Sequence, residues 1–139
     1  MYDGFLAEIT RPLLLYILLF GAALVLTLLI ETPIIVRGRV TDNRTYIRGV
    51  NTVTNVLLNL TLLMLQFLKD YAADEAAIEK ISLIWFILAE LLLIPVSEGL
   101  LYLKLSLAGK KRVFLVTYLA NLTSCGAGLI LSVIIHRWV

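Results

Sequence analysis

Long apolar blocks broken by short polar stretches dominate this chain. Four blocks stand out, at about residues 13–33, 50–68, 81–103 and 113–135. Blocks near or above 18 apolar residues are long enough to cross the ~30 Å hydrocarbon core of a bilayer as helices. The predicted architecture is therefore an all-α integral membrane protein. It is a four-transmembrane-helix bundle forming one membrane domain over residues 1–139.

The polar positions inside the blocks are the informative ones. The third block reads ISLIWFILAELLLIPVSEGLLYL and carries Glu90 and Glu98 with Pro95 between them. A carboxylate at the centre of a membrane helix costs roughly 2.5–3.5 kcal/mol. A cross-helix hydrogen bond in lipid returns only about 0.6 kcal/mol on average. One bond does not offset the deeper carboxylate, so a larger polar constellation is expected.

The other blocks supply its members. Asn51, Asn55 and Asn59 recur at i,i+4, with Gln66 seven residues on, so they share one helical face. Thr117, Asn121, Ser124 and Cys125 make a comparable face in the fourth block, beside a small-residue ridge of Ala120, Ser124 and Gly128. In the first block, Glu31-Thr32-Pro33 lies in the last turns, and Gly21-Ala22-Ala23 offers a second small surface. Counted as a regular α-helix, the third block puts Glu98 and Tyr102 one turn apart. Glu90 and Ser97 then share a line about 80° away. Pro95 frees the carbonyl of Leu91 as an anchor for water or a ligand.

Depth groups these residues. At 1.5 Å per residue, Asn55 and Asn59 lie roughly 8 and 13 Å inside the second span, Asn121 about 12 Å and Glu98 about 9 Å from the same side. Glu31 sits at that boundary, and Glu90 is nearer the middle. The expected binding residues are Glu31, Asn55, Asn59, Glu90, Glu98, Tyr102, Asn121 and Ser124.

The two halves of the chain share a layout. Glu31 precedes Arg37 by six residues, as Glu98 precedes Lys104, and Asn59-Leu60-Thr61 has a twin in Asn121-Leu122-Thr123. This predicts a duplicated helical hairpin, two plus two helices in the same orientation, an internal repeat about an axis along the membrane normal. These tripeptides and Asn43-Arg44-Thr45 also fit the glycosylation acceptor pattern. Membrane burial excludes the first two, and a cytoplasmic position excludes the third.

Composition and charge agree with a membrane chain. Hydrophobic residues make up 60% and charged residues 16%, with mean hydropathy +0.95, which excludes an ordinary soluble domain. A net charge of +2 does not mark a nucleic-acid binder. Of the 12 Lys and Arg, eight fall at Arg37, Arg39, Arg44 and Arg48 and at Lys104, Lys110, Lys111 and Arg112. The remaining four are Arg11, Lys69, Lys80 and Arg137. The positive-inside rule places those two basic loops in the cytoplasm and both termini outside. The segment between spans two and three is acidic (Asp70, Asp74, Glu75, Glu79) and is read as a loop with room for a short surface helix. MYDGFLAEITRP lacks the basic start of a cleavable signal, so the first span is expected to stay. The expected location is a prokaryotic cytoplasmic membrane. The single cysteine, Cys125, permits no intrachain disulfide.

Carboxylate and amide oxygens without clustered Cys or His suit hard cations such as Mg2+, Ca2+, Mn2+ or Na+, with Glu31 and Glu98 as the metal-facing pair. The leading expectation is a protein that binds or transports a cation or small polar solute, as a homodimer or with another membrane subunit. One alternative is a non-catalytic subunit or assembly partner. A second is a metal-dependent enzyme on a lipid phosphate, with Arg37, Arg39, Lys110 and Arg112 on the phosphate or headgroup. Against the enzyme, no HExxH, GxSxG or Asp-rich diphosphate box occurs. Plainer roles exist for single residues: cross-helix glue for the carboxylates, packing for Cys125, and interface anchoring for His136 beside Trp138.

Overall fold

A computed structural model describes residues 2–69, 71 and 73–138, with side chains described at 14–69, 71, 73–131 and 133. The side chains of the expected anchor His136-Arg137-Trp138 and of Arg11, and Asp70 itself, lie outside what is described.

The described chain is all-helical: α1 (Tyr2–Arg37), α2 (Arg44–Lys69), α3 (Glu75–Leu88), a π-helical segment (Ala89–Leu93), α4 (Ile94–Leu103) and α5 (Lys110–Trp138). The third rod is α3, the π segment and α4 joined without a break, so four rods make the bundle. Three helical stretches, Leu14–Arg37, Arg44–Lys69 and Lys110–Leu131, are long and apolar enough to cross a membrane.

The helices overrun the apolar blocks because polar caps set their ends. Asn43 accepts the Tyr46 amide at 3.0 Å, so α2 starts six residues before the apolar block does. Asp74 accepts the Ala77 amide at 3.0 Å, which makes residues 75–80 of the acidic segment the first turns of α3. α1 closes with Val40 N–H on Ile35 O (3.2 Å) and Arg39 N–H on Val36 O (2.9 Å), and Arg39 stands at φ 56°. This is a Schellman cap with Arg where glycine is usual. Arg39 therefore serves the turn rather than a cavity.

α1 packs on α2 and α5, while the third rod packs on α2 and α5 from the other side. The rods thus form a ring in the order α1, α2, third rod, α5. Both short basic loops lie at one end, tied by Arg112 Nε donating to Gly38 O (2.9 Å) and the Tyr46 hydroxyl donating to Leu101 O (2.9 Å). Beneath them sits the apolar core: Ile35, Val40, Ile47, Val50, Tyr102, Val113 and Ala120. Elsewhere the polarity is inverted relative to a soluble bundle, which buries its apolar stripe. Leu29 is 68% exposed and Ile130 64%, whereas Glu31 is 2% and Glu98 1%.

Close approach is required at Gly38, where an added Cβ would stand 2.4 Å from Val116 Cγ1 and 3.0 Å from Ile34 O. Gly38→Ala is expected to destabilise the bundle by about 1–3 kcal/mol through overpacking. Gly49, with open space around it, serves as the control. Gly49→Ala should be neutral or stabilise by up to about 1 kcal/mol through helix propensity. Unfolding of the two variants in micelles checks the contrast.

Candidate functional site

Two buried carboxylates organise the interior. Glu31 Oε2 accepts Asn51 Nδ2 at 2.8 Å, and its Oε1 accepts the Ser124 hydroxyl. Glu98 Oε1 accepts the Thr54 hydroxyl at 2.6 Å, and its Oε2 accepts Asn121 Nδ2 at 2.8 Å. All four carboxylate oxygens are therefore engaged, as burial of such groups demands. The Tyr102 hydroxyl donates to Asn51 Oδ1 and holds the amide in the orientation that serves Glu31.

The pattern is reciprocal. Each glutamate takes an amide from its own hairpin and a hydroxyl from the other. The hydroxyl lies three residues after the asparagine in both cases: Asn51 to Thr54, Asn121 to Ser124. Burial repeats as well, with Ile47, Val50 and Asn51 buried in α2 and Thr117, Ala120 and Asn121 in α5. The partner of Asn121 is thus Asn51, and the expected pairing of the two Asn-Leu-Thr tripeptides is corrected. Asn59 donates to Asn55, to its Oδ1 at 2.7 Å and its carbonyl at 2.9 Å, and reaches neither glutamate.

A cavity of about 270 Å³ extends from the two glutamates away from the basic loops. Its walls include Thr27 of α1, Asn55 and Asn59 of α2, Phe86 and Glu90 of the third rod, and Cys125 and Gly128 of α5. Asn55 Nδ2 reaches Thr27 Oγ1 at a long 3.4 Å. The acidic side chains along this wall are Glu31, Glu90 and Glu98, and no lysine, arginine or histidine joins them there. Among the described residues, no group of three or more His, Cys, Asp or Glu side chains comes together in a way that would hold a metal ion.

Glu90 reaches the cavity because of the π segment. In a regular α-helix the eight residues from Glu90 to Glu98 turn about 80° beyond whole turns. The π segment absorbs one extra residue, bringing the remainder to roughly −20° and both carboxylates to one face. The Ile94 amide bonds to Ala89 O, five residues back, directly before Pro95, whose missing N–H already interrupts the α pattern. Ser97, expected on the line of Glu90, instead lines a separate apolar groove with Trp85 and Leu101.

Of the eight expected binding residues, Glu31, Asn55, Asn59, Glu90, Glu98, Asn121 and Ser124 line the cavity, and Tyr102 acts from behind Asn51. Tyr102 is fully buried rather than an interface aromatic, and Glu31 does not reach water as a boundary residue would. Gln66 is exposed and drops out of the asparagine stripe. Asn51 and Thr54 were missing from the expected set. A serine or threonine three residues beyond a buried asparagine is the signal that finds both. Arg37, Arg39, Lys110 and Arg112 do not line the cavity, so basic groups and carboxylates are not assembled over one phosphate.

Comparison with protein-family models, with curated proteins and with solved structures finds no match for this chain.

Proposed function

We propose that this chain is an integral membrane protein whose four-helix bundle binds and carries a small cation or cationic solute in the Glu31/Glu90/Glu98 cavity. The observation that carries the reading is the cavity wall, where three carboxylates meet amides, hydroxyls and one aromatic ring without a lysine or arginine. Such a wall favours positive charge by electrostatic complementarity, and Phe86 adds an aromatic surface suited to a cation. A volume near 270 Å³ leaves room for a small amine or a partly hydrated ion rather than only a bare one.

The exposed leucine-rich exterior and the three apolar helices support placement in a bilayer. The basic loops at one end support the cytoplasmic assignment of that end, in a prokaryotic plasma membrane. Under this topology the apolar core closes the cytoplasmic side and the cavity belongs to an outward-facing state. The reciprocal Glu–Asn–hydroxyl pattern supports a duplicated hairpin. Two equivalent halves would then rock about the glutamate pair, as in repeat-built carriers.

Thermal unfolding of the purified protein against Na+, Mg2+, Ca2+, Mn2+ and a series of small amines tests the reading. A bound cation at a hundredfold excess over Kd should stabilise the native state by about 2.7 kcal/mol. Glu90→Gln should remove that stabilisation with little change in the unliganded protein. A flat response across the whole series sinks the proposal.

A further inference from the structure

We infer that a second site, on the outer face of α1 and α2, binds the phosphate of an anionic phospholipid headgroup through Arg37, Arg44 and Arg48, with Thr32 beneath them. It rests on the membrane reading above and is separate from the cation cavity.

The groove measures about 380 Å³ and is built from two chemistries. Leu28, Leu29 and Val36 give it an apolar floor, and three arginines stand at the end next to the loop. Along α1 the run from Leu28 to Arg37 covers roughly 13 Å, enough to hold the start of an acyl chain below a headgroup. Arg44 and Arg48 are one turn apart on α2 and face the same way.

None of the three arginines has an ion-pair partner among the described residues. Among the described residues the one ion pair is Lys69 with Glu79, at the other end of the bundle. Asp42, the nearest acid in sequence, is exposed and pairs with none of the three. Arg44 and Arg48 also stand in the opening turns of α2, whose first turn holds no acidic residue. There the helix dipole is positive and disfavours further positive charge. An anion at this point relieves both repulsions and meets the guanidinium geometry suited to phosphate.

Thr32 supplies the independent observation. Its side chain lines the groove, is 7% exposed, and its hydroxyl is the buried polar side-chain atom left without a hydrogen-bond partner among the described residues. A buried hydroxyl without a partner costs free energy. Rotation of Thr32 about χ1 would turn this hydroxyl into the groove, where an ester or phosphate oxygen would accept its proton.

The test is native mass spectrometry of the full-length protein in neutral detergent, titrated with phosphatidylglycerol, phosphatidylcholine or inorganic phosphate. We expect one phosphatidylglycerol to bind in preference to phosphatidylcholine. Affinity should fall about thirtyfold in Arg44→Gln/Arg48→Gln, two arginines at a membrane surface being involved. The charge-matched pair Arg39→Gln/Lys111→Gln, outside the groove, should bind as the wild type does. Thr32→Val should weaken binding while leaving the lipid-free protein equally or more stable. Equal loss in both arginine and control pairs would reveal unspecific attraction and overturn the site. Competition by inorganic phosphate at the lipid's own concentration would overturn the lipid assignment. Retention of the chain in membranes after an alkaline wash reports on the membrane reading separately, so failure of one is not mistaken for failure of the other.

Discussion

Glu31→Ala and Glu98→Ala are each expected to destabilise the bundle by roughly 3 kcal/mol, and by similar amounts. Each substitution strands two buried donors: Asn51 and Ser124 in one case, Thr54 and Asn121 in the other. A buried donor deprived of its acceptor costs about 1–3 kcal/mol. The cost of placing a carboxylate in lipid does not reverse the sign, because the side chain stays in the micelle when helices separate and that cost largely cancels. Glutamine retains one acceptor oxygen but turns an NH2 towards a donor, so Glu31→Gln should fall between wild type and alanine. The sharper measurement is a double-mutant cycle in micelles between Glu31→Ala and Ser124→Ala, which lie 93 positions apart. Once the carboxylate is gone, removing the serine hydroxyl should cost little, giving a coupling of roughly 1 kcal/mol. Strict additivity would mean that the bond between the hairpins contributes nothing, and the reciprocal network would not be what holds them together.

Much of this network was legible in the sequence, and the gaps have identifiable physical causes. Apolar blocks of this length announce helices, and a glutamate inside one announces a partner, so Glu31, Glu98, Asn121 and Ser124 were visible. Counted from the apolar edge at Val50, Asn51 falls at the rim of the second span. The Asn43 cap starts α2 at Arg44, which moves Asn51 two turns into the bundle. The Asn-Leu-Thr tripeptides match by identity, although what recurs in the contacts is an amide followed three residues later by a hydroxyl. Thr54 and Ser124 differ in identity and agree in chemistry, so identity alone does not pair them. Capping likewise explains α3: Asp74 and Glu75 look like loop residues by charge but are favoured at a helix start. The phase of Glu90 was out of reach, since counting 100° per residue assumes regular α-helix through Pro95.

Inserting one alanine after Leu92 is expected to abolish cation binding in the central cavity while leaving the Glu98 network intact. The π segment already accommodates the one residue beyond α register, so an inserted residue adds a further α-helical step to the rod. Everything N-terminal to the segment then rotates by about 100° relative to α4. Glu90 leaves the cavity for the face of Ser97, and one of three carboxylates is lost from the wall. Glu98 lies beyond the segment in α4, so its bonds to Thr54 and Asn121 should survive. Trp85 reports the rotation directly. Its indole N–H donates to Thr61 Oγ1 at 3.2 Å, and that contact cannot persist if α3 turns. The insertion protein should therefore show a shifted Trp85 emission and lose the ligand-induced stabilisation of about 2.7 kcal/mol at a hundredfold excess of cation. Trp138 is held constant by making both measurements in a Trp138→Phe background. Glu90→Gln should lose the stabilisation but keep the emission of the wild type. That contrast separates the carboxylate from the helix geometry that aims it. An insertion protein with unchanged emission and full cation response would show that the bundle tolerates either phase, and the π segment would then have no part in building the site.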